Sequence, residues 1–182
     1  MAERSFRLRA ATADDAARLA ELGRDSFVAK FGHLYRREDL AAFLAASHAE
    51  PVVARELADP KMRVMLAERD GDPTLGGGAL AGYCKLVLAP TWPEHARGRR
   101  PVELKQLYTA PDATGGGIGA ALLDWALSAA RAEGADEIQL SVWAGNDGAQ
   151  RFYRRHGFDK VADIEFWVGQ QRDEEFLFAL ML

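Results

Sequence analysis

Four glycines fall within five positions, Gly115, Gly116, Gly117 and Gly119, inside the stretch VELKQLYTAPDATGGGIGAALLDWAL. The stretch reads as a strand from about Val102 to Thr109, a polar turn, the glycine cluster, then a helix beginning near Gly117. Glycine opens backbone conformations closed to other residues and keeps side chains away from a ligand. The first turn of the following helix has unpaired N–H groups at the positive end of its dipole. Strand, bare loop and helix start together predict an anion site, most often one for phosphate. The phosphate-cradling GxxxxGK[ST] pattern is not met, because no Lys-Ser or Lys-Thr follows these glycines. Gly115, Gly117 and Ala120 satisfy a dinucleotide fingerprint, GxGxx[GA], but only weakly. In that arrangement the loop leaves its strand directly and the next strand ends near an acid. Here APDAT intervenes, and IQLSVWA ends without one.

The surrounding chain sets the scale of the fold. Its 182 residues are 48% hydrophobic, enough for one domain spanning residues 1–182 with a sizeable core. A formal net charge of −4 gives no broad basic surface for nucleic acid. The single cysteine, Cys84, allows no intramolecular disulfide and reads as a small core residue, in keeping with a reducing cytoplasm. MAERSFRLRAATADD has no apolar leader pattern, and no apolar run approaches ~20 residues. The expectation is a cytoplasmic protein with no membrane partner.

In chain order, Ser5 to Ala10 alternates as a strand. Thr12 and Asp15 resemble a capping box with Asp in place of Glu. A helix runs to about Lys30, a second from about Glu38 to Ser47, and a third, short one starts at Pro51. RVMLAERD and ALAGYCKLVL read as an antiparallel hairpin around the loose turn DGDPTLGGG. APTWPEHARGRRP reads as a mobile surface loop. EIQLSVWA is a buried strand, NDGAQRFYRRH a short helix, and FDKVADIEFWVG and EEFLFALML a closing antiparallel pair. This predicts a mixed α/β (α+β) fold of about six or seven strands flanked by helices.

Two motifs lie in order in the second half. LKQLYTAPDATGGGIGAALLDWAL resembles the acyl-CoA-binding motif of the GNAT superfamily of N-acetyltransferases, in which an apolar strand leads through P-x-x-[RQ]-G-x-G-[IV]-G into an Ala- and Leu-rich helix. SVWAGNDGAQRFYRRHGF resembles that family's next strand and helix, with its asparagine and FYxxxGF. The match spans roughly residues 62–182. SFVAKFGHLYRREDLAAFL, RELADP, GYCKLV and FWVGQQRDEEFLFALML further resemble a bacterial branch near the spermidine/spermine N-acetyltransferases.

The resemblance implies a twisted, mostly antiparallel sheet with two splayed central parallel strands. It implies acetyl-CoA as co-substrate with no metal, a primary amine of a polyamine-like small molecule or a peptide as acceptor, and a homodimer. The pyrophosphate would sit on Gly115, Gly116, Gly117, Ile118, Gly119 and Ala120. Thr114 stands where the family usually has Arg or Gln, leaving Arg151 or the Arg97–Arg100 cluster to supply the charge. Leu107, Tyr108 and Thr109 would pair with the pantetheine amides like an added strand. Asn146 would cap its helix and meet the coenzyme arm. Tyr153 matches the family's general acid, able to protonate the leaving thiolate. Glu103 sits where some members carry a catalytic base, with Glu94 and Asp112 as alternatives. The acceptor site is expected around Phe27–Asp39 and Thr91–Arg100, with Glu38, Asp39 and Glu94 supplying negative charge and Trp92, Trp143 and Trp167 near its rim. The four histidines have no metal spacing. A non-catalytic acyl-CoA sensor on the same fold, or a nicotinamide dinucleotide enzyme, stays open as an alternative.

Overall fold

The computed structural model describes residues 6–69 and 78–182; the turn DGDPTLGGG and Ser5 of the first strand lie wholly or largely outside them. Within those bounds seven strands form one sheet in the order β1-β2-β3-β4-β5-β7-β6. They are β1 (Phe6–Ala10), β2 (Met62–Arg69), β3 (Leu80–Val87), β4 (Pro101–Thr109), β5 (Glu137–Trp143), β6 (Asp159–Val168) and β7 (Gln171–Met181). All neighbours are antiparallel except β4 and β5.

The helices α1 (Ala16–Phe31), α2 (Arg37–Ser47), α3 (Glu50–Ala58), α4 (Ile118–Ala132) and α5 (Asp147–Arg155) cover both faces. Local chemistry sets their ends. Asp15 accepts the Thr12 backbone N–H at 2.8 Å ahead of α1, so an aspartate does work in the capping box. Pro51 occupies the first turn of α3, where its missing N–H costs nothing. Asn146 caps α5, its side-chain oxygen accepting the Ala149 N–H at 3.2 Å.

Strand alternation divides the core in two. Val102, Leu104, Ile138, Leu140 and Phe178 face α4, whose Leu122, Leu123 and Ala126 are fully buried. On the opposite face Leu66 and Tyr83 meet Leu19 of α1 and Val53 of α3. A third, aromatic cluster joins Phe27 of α1 and Phe43 of α2 to Val168 of β6.

The sheet is incomplete at its centre. β4 and β5 pair only at Pro101–Glu137, Val102–Ile138 and Glu103–Gln139. Beyond these rungs the two strands part. On the other side of β4 the register with β3 slips so that Gln106 faces Lys85 while Leu104 faces Leu86, leaving Lys105 without a cross-strand partner. That bulge twists the strand just where it leaves its parallel neighbour.

Candidate active site

A cleft of about 1290 Å³ runs through the parting of β4 and β5. Gly115, Gly117, Gly119 and Ala120 line one mouth, and Thr114 stands beside them. Gly115 has φ +84° and Gly117 φ +79°, both in the left-handed region, where a side chain is strained. A Cβ built on either would meet nothing within 4 Å. The loop is therefore glycine for its backbone and leaves open space in front of it. Gly117 is the residue before the first turn of α4, so free N–H groups point into that space. Ile118 is turned inward to the core and contributes main chain alone.

Leu107, Tyr108 and Thr109 line the gap on β4, beyond the last rung shared with β5. Their main chain bonds β3 on one side and is free of β5 on the other. Asn146 and Tyr153 line the opposite wall. Tyr153 is 9% exposed, and burial raises its pKa well above that of an ordinary phenol. Phe152 and Phe158 pack against its ring with centroids 5.2 and 5.6 Å away.

Glu103 lines the cleft at the base of the parting. It is 8% exposed, burial raises its pKa, and the Thr91 hydroxyl donates to it. The alternatives lie elsewhere. Asp112 is exposed and pairs with Arg69 at 2.6 Å, and the exposed Glu94 side chain lies nearest His95. Asp39 accepts the Gln170 N–H at 2.7 Å and braces the β6–β7 turn, and Glu38 is exposed on the first turn of α2. Neither lines the cleft. The Thr91–Arg100 segment is pinned rather than loose. Glu137 accepts the N–H groups of Arg97 and Gly98, and Asp136 those of Arg99 and Arg100.

Those bonds also correct the expected charge donors for the glycine loop. The Arg97–Arg100 cluster belongs to the far end of β4, and the Arg100 guanidinium caps the Glu133 carbonyl of α4. Arg151 is exposed on α5, whereas Arg155, one turn later, lines the cleft. The spacing of four along a short helix was the available signal for Arg155.

Phe27, Phe31 and Tyr35, from the segment around Phe27–Asp39, line the cleft together with Phe43 of α2, and Trp92, Trp143 and Trp167 are also on its wall. Sequence reasoning missed Glu175, an acid at an inward position of β7. Cys84 is fully buried, and burial pushes its thiol up to about 12.

A sheet opened at one parallel pair, with a bare glycine turn on one wall and a buried tyrosine on the other, is the scaffold of an N-acyltransferase. Residues 19–158 match the Acetyltransferase (GNAT) family, well over half of the chain, and the chain belongs to that family. It is 29% identical over 163 residues to an uncharacterised N-acetyltransferase of Mycobacterium bovis, covering 90% of this chain and 95% of the relative. The PaiA N-acetyltransferase of Thermoplasma acidophilum, solved in complex with coenzyme A, superposes with a TM-score of 0.75 at 20% identity, over 98% of this chain and 99% of that one. YncA of Salmonella typhimurium, solved with its cofactor acetyl-CoA, gives a TM-score of 0.67 at 21% identity, over 98% and 94%. At such identities the likeness is one of fold.

Proposed function

We propose that this protein transfers an acetyl group from acetyl-CoA to the primary amine of a small molecule or peptide, by direct attack with both substrates bound. The observation that carries the reading is the parting of β4 and β5 with the glycine loop at one mouth. The open space before Gly115 and Gly117 fits a pyrophosphate, and the free edge of Leu107–Thr109 fits an amide chain laid alongside it. Two of the solved structures with this fold hold coenzyme A or acetyl-CoA. The thioester supplies an activated acetyl carbon with a thiolate leaving group.

Glu103 is the base in this reading. An alkylammonium has a pKa near ~10.4, so at pH 7 the free amine costs roughly 4–5 kcal/mol. A carboxylate whose proton affinity burial has raised takes that proton more readily than an exposed one. Tyr153 is the acid. Its raised pKa keeps the phenol protonated, and a thiolate expelled into the same low-dielectric wall has its own proton affinity raised. Tyr108 or Leu107 offers a backbone N–H to the developing oxyanion. Arg155 takes the role that Thr114 leaves vacant, as a cation facing the coenzyme's phosphates.

The carboxylates on the acceptor wall support a small cationic amine. Tyr153→Phe tests the chemistry. It should bind coenzyme A as the wild type does and slow turnover by about tenfold or more. Unchanged turnover rejects Tyr153 as the acid. Wild-type protein that fails to bind coenzyme A in a calorimetric titration rejects the whole reading.

A further inference from the structure

The cleft holds a second carboxylate that the proposed reaction leaves idle. Glu175 lies on β7 opposite Trp143 of β5 and Ile164 of β6. Its side chain lines the cleft. Oε2 is shielded from solvent, yet has no hydrogen-bond partner among the described residues. An acceptor oxygen left bare in this way is destabilising unless something supplies a donor. Burial raises the pKa of this carboxyl, the Ser141 hydroxyl works against that, and Asp173 adds to it.

The other acids on this wall are already engaged. Glu56 bonds Lys85 at 2.6 Å and Lys105 at 2.7 Å. Glu165 pairs with Arg172 at 2.7 Å. Asp173 holds the Tyr35 hydroxyl and Glu103 holds Thr91. Ser141, Ile164 and Asp173 lie beside Glu175, and the acceptor wall of the cleft is otherwise largely aromatic. The Phe27 ring lies 4.5 Å from Phe43 and stacks on Tyr35 at 5.9 Å. Phe43 meets Phe166 edge-on at 5.7 Å, and Phe31 meets Trp143 at 6.1 Å. Aromatic faces bury an apolar body, and a second or third charge along a chain would lose hydration against them with no further unpaired carboxylate among the described residues of the wall to meet it.

We propose that Glu175 receives the ammonium group of the acceptor, and that the acceptor is a small primary amine with one positive charge and an aromatic or compact apolar body. Glu175 accepts one ammonium hydrogen bond and holds the nitrogen in place; it lies opposite Trp143, four residues along β5 from the rung that holds Glu103, so the proton passes to Glu103 through water before attack. The inference rests on the acyl-transfer reading of the same cleft, and names the substrate class for it.

Phenethylamine and spermidine serve as probes. Each is titrated into the full chain saturated with coenzyme A and followed by tryptophan fluorescence, while thiol release from acetyl-CoA is measured in parallel. Phenethylamine should bind at least about tenfold more tightly than spermidine. Glu175→Gln should raise the phenethylamine Kd and KM about ten- to a hundredfold, the worth of one charge-assisted hydrogen bond. It should leave the coenzyme A Kd within about twofold and the Tm nearly unmoved. Glu175→Asp should fall between, and Phe166→Ala should weaken phenethylamine severalfold. Tighter binding of spermidine, no saturable phenethylamine binding, or amine constants unmoved in folded Glu175→Gln overturns the inference. Failure of the acyl-transfer reading looks different: the wild type then neither binds coenzyme A nor releases thiol.

Discussion

At the scale of the residue, His48 shows how much a buried side chain can cost. Its ring is 2% exposed, wedged between Phe27, Phe43 and Tyr108, with both nitrogens lacking partners among the described residues. Burial, helped by nearby Lys85, pushes its pKa down to about 4. An unfolded histidine binds a proton near ~6.5. Between about 6.5 and about 4 the unfolded chain therefore binds more protons than the folded one, and stability falls as the pH falls through that window. The loss from this one group is roughly 2 kcal/mol by about pH 5. His48→Leu should remove that share of the acid sensitivity and leave stability at neutral pH equal or higher, because two unpaired polar atoms are replaced by apolar ones. Urea titrations at about pH 7 and about pH 5 check it. An identical acid loss in both proteins would assign the sensitivity to other groups.

At the scale of the element, the glycine loop gives a paired test. Gly117→Ala places a methyl at φ +79°, in the open space where the anion is expected. Holding a left-handed alanine costs about 1–2 kcal/mol, and coenzyme A affinity should drop about tenfold. Gly116 lacks a positive φ, and its nearest neighbour to a built Cβ is the Ala113 carbonyl at 3.8 Å, so Gly116→Ala should be nearly silent in both. Equal losses in melting and calorimetric titrations of the two variants would refute the conformational argument.

The same loop shows what a sequence can and cannot display. Its glycines, the Asn146 cap and the Asp15 capping contact are local, fixed by residues a few positions apart, and each was legible from spacing alone. Glu175 was not, because its inward position depends on β7 lying between β5 and β6, a pairing across distant parts of the chain. The Arg97–Arg100 cluster misled for the opposite reason. Three arginines within four positions look like one charged patch, yet the backbone N–H groups of this run serve Asp136 and Glu137, which no spacing rule connects to them. The place of Glu103 on the central strand was legible, while its burial and its bond to Thr91 needed the fold.

At the scale of the whole molecule, the sheet consists of two parts, β1-β2-β3-β4 and β5-β7-β6, joined by three rungs at Pro101–Glu103. Among the described residues no helix is long and apolar enough to cross a membrane. A ligand lying along the free edge of β4 adds contacts to both parts, so coenzyme A should stabilise the protein as a unit. At a hundredfold excess over Kd the gain is about 2.7 kcal/mol, a rise in Tm of roughly 5–10 °C for a chain of this size. Backbone amides of Leu107 to Thr109 should gain protection from hydrogen exchange with it. A Tm that stays flat while calorimetry reports binding would mean that the ligand touches only one part.

The sheet is also a partition with a slot in it. α4 and α5 stand on one side, α1, α2 and α3 on the other, so the reaction proposed above has donor and amine arrive by separate doors and meet edgewise in the slot. In that reaction neither has to leave for the other to enter, and Cys84, walled in and reluctant to ionise, is a group it does not call on.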